Sequence, residues 1–394
     1  MESTVSIKEA DKKAEGAKTR KDLNGVALVT DRQMMEQFRE FPYKHYESDT
    51  NWIPPLRIQQ KQLINTAKNP FFRNAEAAFF LGYHNGQPAG RIAAILNHAY
   101  NRHNHTKAGF FGFFECINNR SLAGLLFRVA GDWLRTRGCD TLLGPMNPGM
   151  LDEIGILTEG FEYPPAIMMP YNKTWYDDLV RAAGMDKAID LYACRVTRET
   201  VQHERAERAL QIVRKRTPGV HIRPVNLRDF KREVGIIHHI FNAAWASNWG
   251  FYEIDLPVLT RLAKDLRLII DTDFAHIAEV DGKPVGFSIA LPDYNQVFGR
   301  IDGSLFPTGW IKLLWHRRKI DGIRVALTGL LPEYQGRGID ALLIRETIAN
   351  GMPRGFRYAE VGWLLESNSE ILRVVERFGG YKEKTYRMYR KELH

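Results

Sequence analysis

The chain has 394 residues, 44% of them hydrophobic and 26% charged, the composition of an ordinary water-soluble globular protein and the length of on the order of two or three domains. A formal net charge of +9 favours anionic partners, a phosphate-bearing co-substrate or an anionic membrane surface; no zinc-finger spacing, RNP-like aromatic signature or long basic helix points to nucleic acid, so no nucleic-acid partner is expected. Nowhere do about eighteen apolar residues run together, and Cys116, Cys139 and Cys194 are odd in number and widely spaced, so the expectation is a cytoplasmic protein with reduced thiols, peripheral to the inner face of a membrane at most.

Residues 1–24 are charged and nearly free of aromatics, which predicts a disordered tail. Val26–Val29 reads as a strand, Asp31 as the cap of a helix carrying Met34, Met35 and Phe38, and Trp52-Ile53-Pro54-Pro55 as a rigid extended segment. Ala77–Tyr83 and Pro88–Leu96 flank Asn-Gly as a hairpin. The hairpin sequence Asn85–Gly90 returns as Asp281–Gly286, and Asn172 stands at the same offset from Asn368. Two matches at one offset argue for duplicated modules over residues 25–197 and 198–394, although such turns are common in unrelated hairpins. In the first copy Phe110–Glu115 is the central strand, followed by Cys116–Arg120, which lacks a glycine turn, then a helix over Leu122–Arg137 and a strand at Thr141–Gly144. The insertion from Pro145 to Asn172 mixes carboxylates, amides and prolines with apolar residues. That mixture suits a functional loop or a structural one packed over a domain interface.

Glu199–Arg216 is a basic helix joining the halves, and Phe230–Trp245 is the first helix of the second copy. Ser304–Ile320 sets Leu305, Phe306, Trp310, Ile311, Leu314 and Trp315 beside Arg317, Arg318 and Lys319, a pattern that fits a membrane interface or a buried helix with a solvated basic end. Val325, Leu327 and Leu330 alternate as a strand ended by Pro332; Gln335-Gly336-Arg337-Gly338 turns, and Ile339 opens a helix. A strand, a glycine turn and a helix start together make an anion site, because unpaired N–H groups and the helix dipole converge there. Tyr358–Leu364, then Asn368, a helix over Ser369–Phe378, and Gly379-Gly380 follow; Tyr381, Tyr386 and Tyr389 read as strand residues of a closing hairpin.

Gln335-x-x-Gly338-x-Asp340 after a strand, with the strand–Asn368–helix–Gly379 succession, resembles the GNAT superfamily of N-acyltransferases. The resemblance implies a mixed α/β fold of two tandem modules, the first degenerate, and acyl-CoA as co-substrate with no metal. The loop Gln335, Gly336, Arg337, Gly338, Ile339 and Asp340 would hold the pyrophosphate, with Asn368 beside it and the backbone amides of Leu330 and Leu331 on the thioester carbonyl. The loop carrying Trp245, Asn248, Trp249, Phe251 and Tyr252 would line the amine-acceptor pocket, unless those aromatics form a plain core cluster. Two positions depart from the family pattern: Asp340 stands where a small residue is usual, and Val375 where a tyrosine often protonates the thiolate. Trp52-x-Pro54-Pro55, Gly144-Pro145-x-Asn147, Asp152-Glu153-x-Gly155 and Tyr171-Asn172-x-x-Trp175-Tyr176 further resemble the GNAT-type bacterial ceramide synthases. The aromatic and cationic insertion, the apolar loop around Trp249 and the basic charge point to a lipid donor or acceptor, such as a sphingoid base. Acyl transfer to an amine also needs a base: Glu153 is the candidate, with Asp152 and Glu366 behind it, each with a salt-bridge role as the alternative, and Tyr171 and Asn172 in the site. A small-amine acetyltransferase and a binding protein that has lost catalysis are the alternatives.

Overall fold

The computed structural model describes residues 24–201, 217–301, 303–304 and 309–394, together with residues 207, 211, 213 and 215. The expected N-terminal tail, Leu305 and Phe306 of the second insertion and most of the joining helix lie outside the described residues.

One 13-stranded mixed sheet runs through the whole chain. Its first part is an antiparallel series, Gly25–Leu28, Ala75–His84, Gln87–Asn97 and Ala108–Cys116, joined in parallel by Thr141–Gly144. The second part repeats this order with Val220–Pro224, Ala275–Val280, Lys283–Pro292 and Gly322–Leu330, joined in parallel by Tyr358–Leu365. The two matching hairpins close alike: Asn85-Gly86 and Asp281-Gly282 all have positive φ, the turn geometry whose twist suits antiparallel strands.

The copies are not self-contained. Asp186–Thr197, which ends the first half, pairs with Tyr358–Leu365 of the second, and Tyr381–Glu392, which ends the second, pairs with Thr141–Gly144 of the first. The two exchanged strands also pair with each other, so Tyr381, Tyr386 and Tyr389 sit on a strand that crosses into the other half rather than in a closing hairpin. A buried ion network fixes the exchange. Lys384 Nζ lies 2.5 Å from Glu360 and 3.1 Å from Glu383, and Arg195 Nη2 donates to Glu383 at 2.8 Å. The largest core cluster correspondingly draws on both halves, from Phe38 and Phe110 to Phe241 and Phe287.

Each half contains a parallel pair that separates. Gly322–Leu330 and Tyr358–Leu365 pair only from Gly322/Tyr358 to Val325/Val361, then diverge, leaving an opening in the sheet. Ala108–Cys116 and Thr141–Gly144 likewise pair only as far as Phe110/Leu143. There the opening is filled. The ribbon formed by Met146–Asn147 and Glu153–Ile154 enters it, and Phe113 N–H donates to Asn147 Oδ1 at 2.6 Å. A Cβ on Gly112 would lie 1.8 Å from Met146 O, so the plug demands glycine at that point. Glu153 sits at the back of this ribbon, opposite Asn147. Burial, then the nearby Glu115 and Asp152 carboxylates, push its pKa from 4.5 up to about 7, against Arg91 and a hydrogen bond from Asn147.

Two expectations follow. Lys384→Met leaves Glu360 without its cation and should lower unfolding stability by about 3–5 kcal/mol in urea titrations, with Lys384→Met/Glu360→Gln recovering part of the loss. Glu153 keeps its proton in the folded protein between pH 4.5 and about 7, where the unfolded chain has lost it, so the folded state loses stability as pH rises through that window. Glu153→Gln should therefore raise the melting temperature at pH 8 relative to the parent and change it least at pH 4; an equal shift at both pH values would contradict this account.

Candidate functional site

The opening in the second half is a cavity of about 520 Å³. Its upper end is the glycine turn. After Leu330 a single 3-10 turn, Pro332–Tyr334, leads into Gln335, and Gly336 and Gly338 both take positive φ. A Cβ on Gly338 would lie 2.5 Å from Val213 Cγ2, so that residue can only be glycine if the helix Ile339–Gly351 is to start there. Gln335, Gly336 and Asp340 line the cavity, while Ile339 is buried as the helix anchor and Arg337 stacks over Tyr334 with its guanidinium 5.0 Å from the ring. The Asp340 carboxylate lies beside the backbone amides of the first helical turn, which favour its charged form, while Ala341 N–H itself donates to Gly338 O at 3.1 Å. Burial nevertheless holds its pKa above the ordinary carboxylate value. Asn368 caps the helix Ser369–Arg377 by accepting from Ile371 N–H at 3.3 Å and lines the same end of the cavity.

The strand wall carries the amides. Leu331 N–H is already donated to Val285 O at 2.9 Å, which removes Leu331 from the pair expected to hold a carbonyl. In an antiparallel ladder the next outward-facing amides alternate with that bond, so Leu330 and Thr328 point their N–H groups toward the diverged side. Trp245 Nε1 donates to Thr328 O at 2.9 Å, which shows that the backbone of Thr328 faces the same way. A bulge sits just before it, since Ile289 faces Leu327 while Ala290 faces Val325, leaving Ala326 unpaired on the cavity lining.

The lower end is built by both halves. Trp245, Asn248 and Trp249 line it, as the aromatic loop was expected to; Phe251 and Tyr252 do not, and instead are buried, Tyr252 against Tyr100 at 6.1 Å between ring centres. Opposite them stand Met146, Met150, Leu151, Ile154 and Met168 from the first half's insertion. The insertion thus reaches the site, through its apolar residues. Met146 faces Ile154 across the two-stranded ribbon and both meet the cavity, so Asn147 and Glu153 fall on the ribbon's other face. Asp152 is held by Arg261 at 3.0 Å, and Glu366 by Lys187 at 2.8 Å and Asp190 N–H at 3.0 Å; neither lines the cavity. Asn172 clamps both backbone groups of Leu157, at 2.7 and 3.1 Å. Tyr171 leans on Asp49 and Asn51, with burial the main reason its pKa is pushed up to about 12. Val375 is buried against Gly380, and none of Tyr381, Tyr386 and Tyr389 lines the cavity in place of the missing acid.

Arg324 and Trp363, which the sequence reading passed over, form the floor. Arg324 is 1% exposed, donates to Ile167 O at 2.7 Å and Gly362 O at 3.3 Å, and lies 5.0 Å from the Trp363 ring. Burial pulls its pKa down to about 10, opposed by the Glu360 carboxylate, so it stays a cation at neutral pH. An arginine between Ile323 and Val325 in a strand was the available signal.

No family model matches the chain. It is 34% identical over 376 residues to Protein YghO of Escherichia coli (strain K12), spanning 93% of this chain and 95% of that one. It is 32% identical over 383 residues to the bacterial ceramide synthase of Caulobacter vibrioides, spanning 95% of this chain and 99% of that one. Among solved structures, a tandem GNAT protein from the clavulanic acid biosynthesis pathway superposes with a TM-score of 0.54 at 9% identity, over 94% of this chain and 98% of that one, a likeness of fold. This chain belongs to the tandem-GNAT N-acyltransferase family that contains the bacterial ceramide synthase.

Proposed function

We propose that the protein moves an acyl group from acyl-CoA to a lipid amine of the sphingoid-base type, at an anionic membrane surface. The observation that carries this reading is the continuity of one cavity, from a glycine turn at a helix start to an apolar chamber walled by both halves. The name of the Caulobacter relative supports a lipid acceptor. In this reading the turn Gln335–Gly338 and the first amides of the helix Ile339–Gly351 receive the pyrophosphate. The Thr328 and Leu330 N–H groups receive the thioester oxygen, where negative charge develops as the amine attacks. The amine nitrogen bonds to the carbonyl carbon, the C–S bond breaks, and the proton lost by the amine balances the one gained by the thiolate. Among the described lining residues the carboxylates Asp340 and Glu370 belong to the helix starts, so no carboxylate serves the acceptor end. Arg324 instead disfavours an ammonium beside it, which lowers the amine's pKa and delivers the neutral nucleophile. Glu153 holds the ribbon from behind.

The membrane part rests on the helix Gly309–His316. Trp315 is 73% exposed, Trp310, Ile311 and Leu314 are each about half exposed, and Arg317, Arg318 and Lys319 follow on the surface. Rings and leucine beside cations match the headgroup layer of an anionic bilayer. Among the described residues no helix is long and apolar enough to cross one.

The reading is tested by incubating the purified protein with sphinganine and palmitoyl-CoA or acetyl-CoA and assaying the amide by mass spectrometry; transfer of acetyl alone, to small amines alone, overturns the lipid assignment. Gly338→Leu should abolish CoA binding in calorimetry, whereas Asp340→Ala, which removes a like charge beside the turn, should tighten it about two- to fivefold; weaker binding by Asp340→Ala would place the pyrophosphate elsewhere. Vesicles containing phosphatidylglycerol should sediment the protein at low salt and release it at high salt, and Trp310→Ser/Trp315→Ser should stay in the supernatant; equal binding to neutral vesicles would dismiss the charge-dependent docking.

A further inference from the structure

A second cavity, of about 60 Å³, lies between the helices Phe230–Trp245 and Leu256–Leu266. Val234 and Ile237 face it from one helix, Leu259 and Leu262 from the other, and Ile289 and Leu327 from the sheet. The two charged residues on its edge are occupied elsewhere: Glu233 accepts from Arg223 at 3.0 Å, and Arg267 lies over the Phe230 ring at 5.4 Å. What remains is hydrocarbon, an apolar pocket open at one side, which an apolar group fills favourably. Leu327 lines both cavities. It stands opposite Ile289 on the strand pair, on the same side of the sheet as the helix Phe230–Trp245, and next to Thr328. Leu327 is thus the residue that the two cavities share.

Resting on the acyltransferase reading above, we propose that this chamber is the far end of the acyl-chain site, and that Leu327 is the bar that sets how long a chain the enzyme accepts. A thioester oxygen held by the Thr328 and Leu330 amides places the first carbons of the chain against the neighbouring residue, Leu327. A short chain ends in the large cavity. A longer one must displace Leu327 and continue between Val234, Ile237, Leu259 and Leu262, where each methylene removed from water adds about fourfold to binding. The acyl chain, rather than the tail of the acceptor, is the occupant because Leu327 belongs to the strand that carries the carbonyl-binding amides.

The test measures transfer from a saturated series, octanoyl- to stearoyl-CoA, to sphinganine and to a shorter sphingoid base, for the parent and for Leu327→Ala, Ile237→Trp and Ala263→Leu. Leu327→Ala should move the preferred acyl chain to greater length and raise the ratio of the longest to the shortest donor by about tenfold. Ile237→Trp and Ala263→Leu, which fill the chamber from either helix, should lower that ratio, and adding either to Leu327→Ala should cancel its gain. Having two filling variants guards against one of them failing to fold. An unchanged acyl-length ratio in folded, active Leu327→Ala overturns the proposal, as does a shift in the preferred acceptor length instead. Should the parent transfer no acyl group from CoA at all, the acyltransferase reading fails. The chamber is then judged by displacement of a fluorescent fatty acid by the free acid series: longer-chain preference in Leu327→Ala sustains an acyl chamber, and equal displacement at every length removes it.

Discussion

The exchange of the two terminal strands is the constraint from which the rest of the structure follows. A parallel pair that diverges leaves unpaired backbone on both inner edges, and such an opening is stable only if the outer edges are held. In the second half the outer edge of Tyr358–Leu365 is held by Asp186–Thr197, a strand from the other half. Tyr381–Glu392 returns the support on the far side of the same joint. The charged groups Arg195, Glu360, Glu383 and Lys384 lie on three adjacent strands of that joint, where buried Lys384 bonds Glu360 and Glu383, and half-buried Arg195 bonds Glu383. A buried pair of this kind adds little net stability over an apolar core, but it punishes any register that separates the partners. We therefore read the network as the device that keeps two similar modules from pairing in the wrong order.

Duplication then produces two openings and the chain uses them differently. The first is filled by the ribbon Met146–Asn147/Glu153–Ile154, whose Asn147 takes the hydrogen bond of Phe113 N–H. The second is left open, and the apolar face of that same ribbon becomes its wall. The degenerate copy is thus part of the site. Behind it, Glu115 accepts from Tyr46 and Tyr176 hydroxyls at 2.5 and 2.6 Å, with Arg91 at 3.6 Å, so the polar residues of the first half's motifs support the wall from the side away from the cavity.

The parts of this arrangement that sequence made legible are those with local causes. The hairpin turns, the Asp31 cap, the glycine turn at Gly336 and Gly338, and the repeat itself are each dictated within a few residues. The strand exchange was hidden because nothing in the alternation of Asp186–Thr197 or Tyr381–Glu392 names a partner; period two fixes the buried face and says nothing of the neighbour. The faces of Asp152, Glu153 and Ile154 were hidden for another reason: a two-residue strand is too short to display a period, so a carboxylate in a polar motif drew attention that belonged to Met146 and Ile154. Arg324 was overlooked because a cation inside an apolar strand only acquires meaning once its burial and its two carbonyl partners are seen.

The chemistry of the two ends of the cavity differs in a way that bears on what it can take. The helix-start end offers amide donors but sets the Asp340 carboxylate beside them. A carboxylate beside the amides repels an anion there, which weakens what the turn alone offers to a small one. The other end is apolar: methionines, leucine, isoleucine and two tryptophans around one buried cation. Hydrocarbon buried against that wall gains from its removal from water, about 0.8 kcal/mol per methylene. The cavity thus joins a charged, amide-bearing helix start to an apolar chamber, two environments of opposite chemistry in one space.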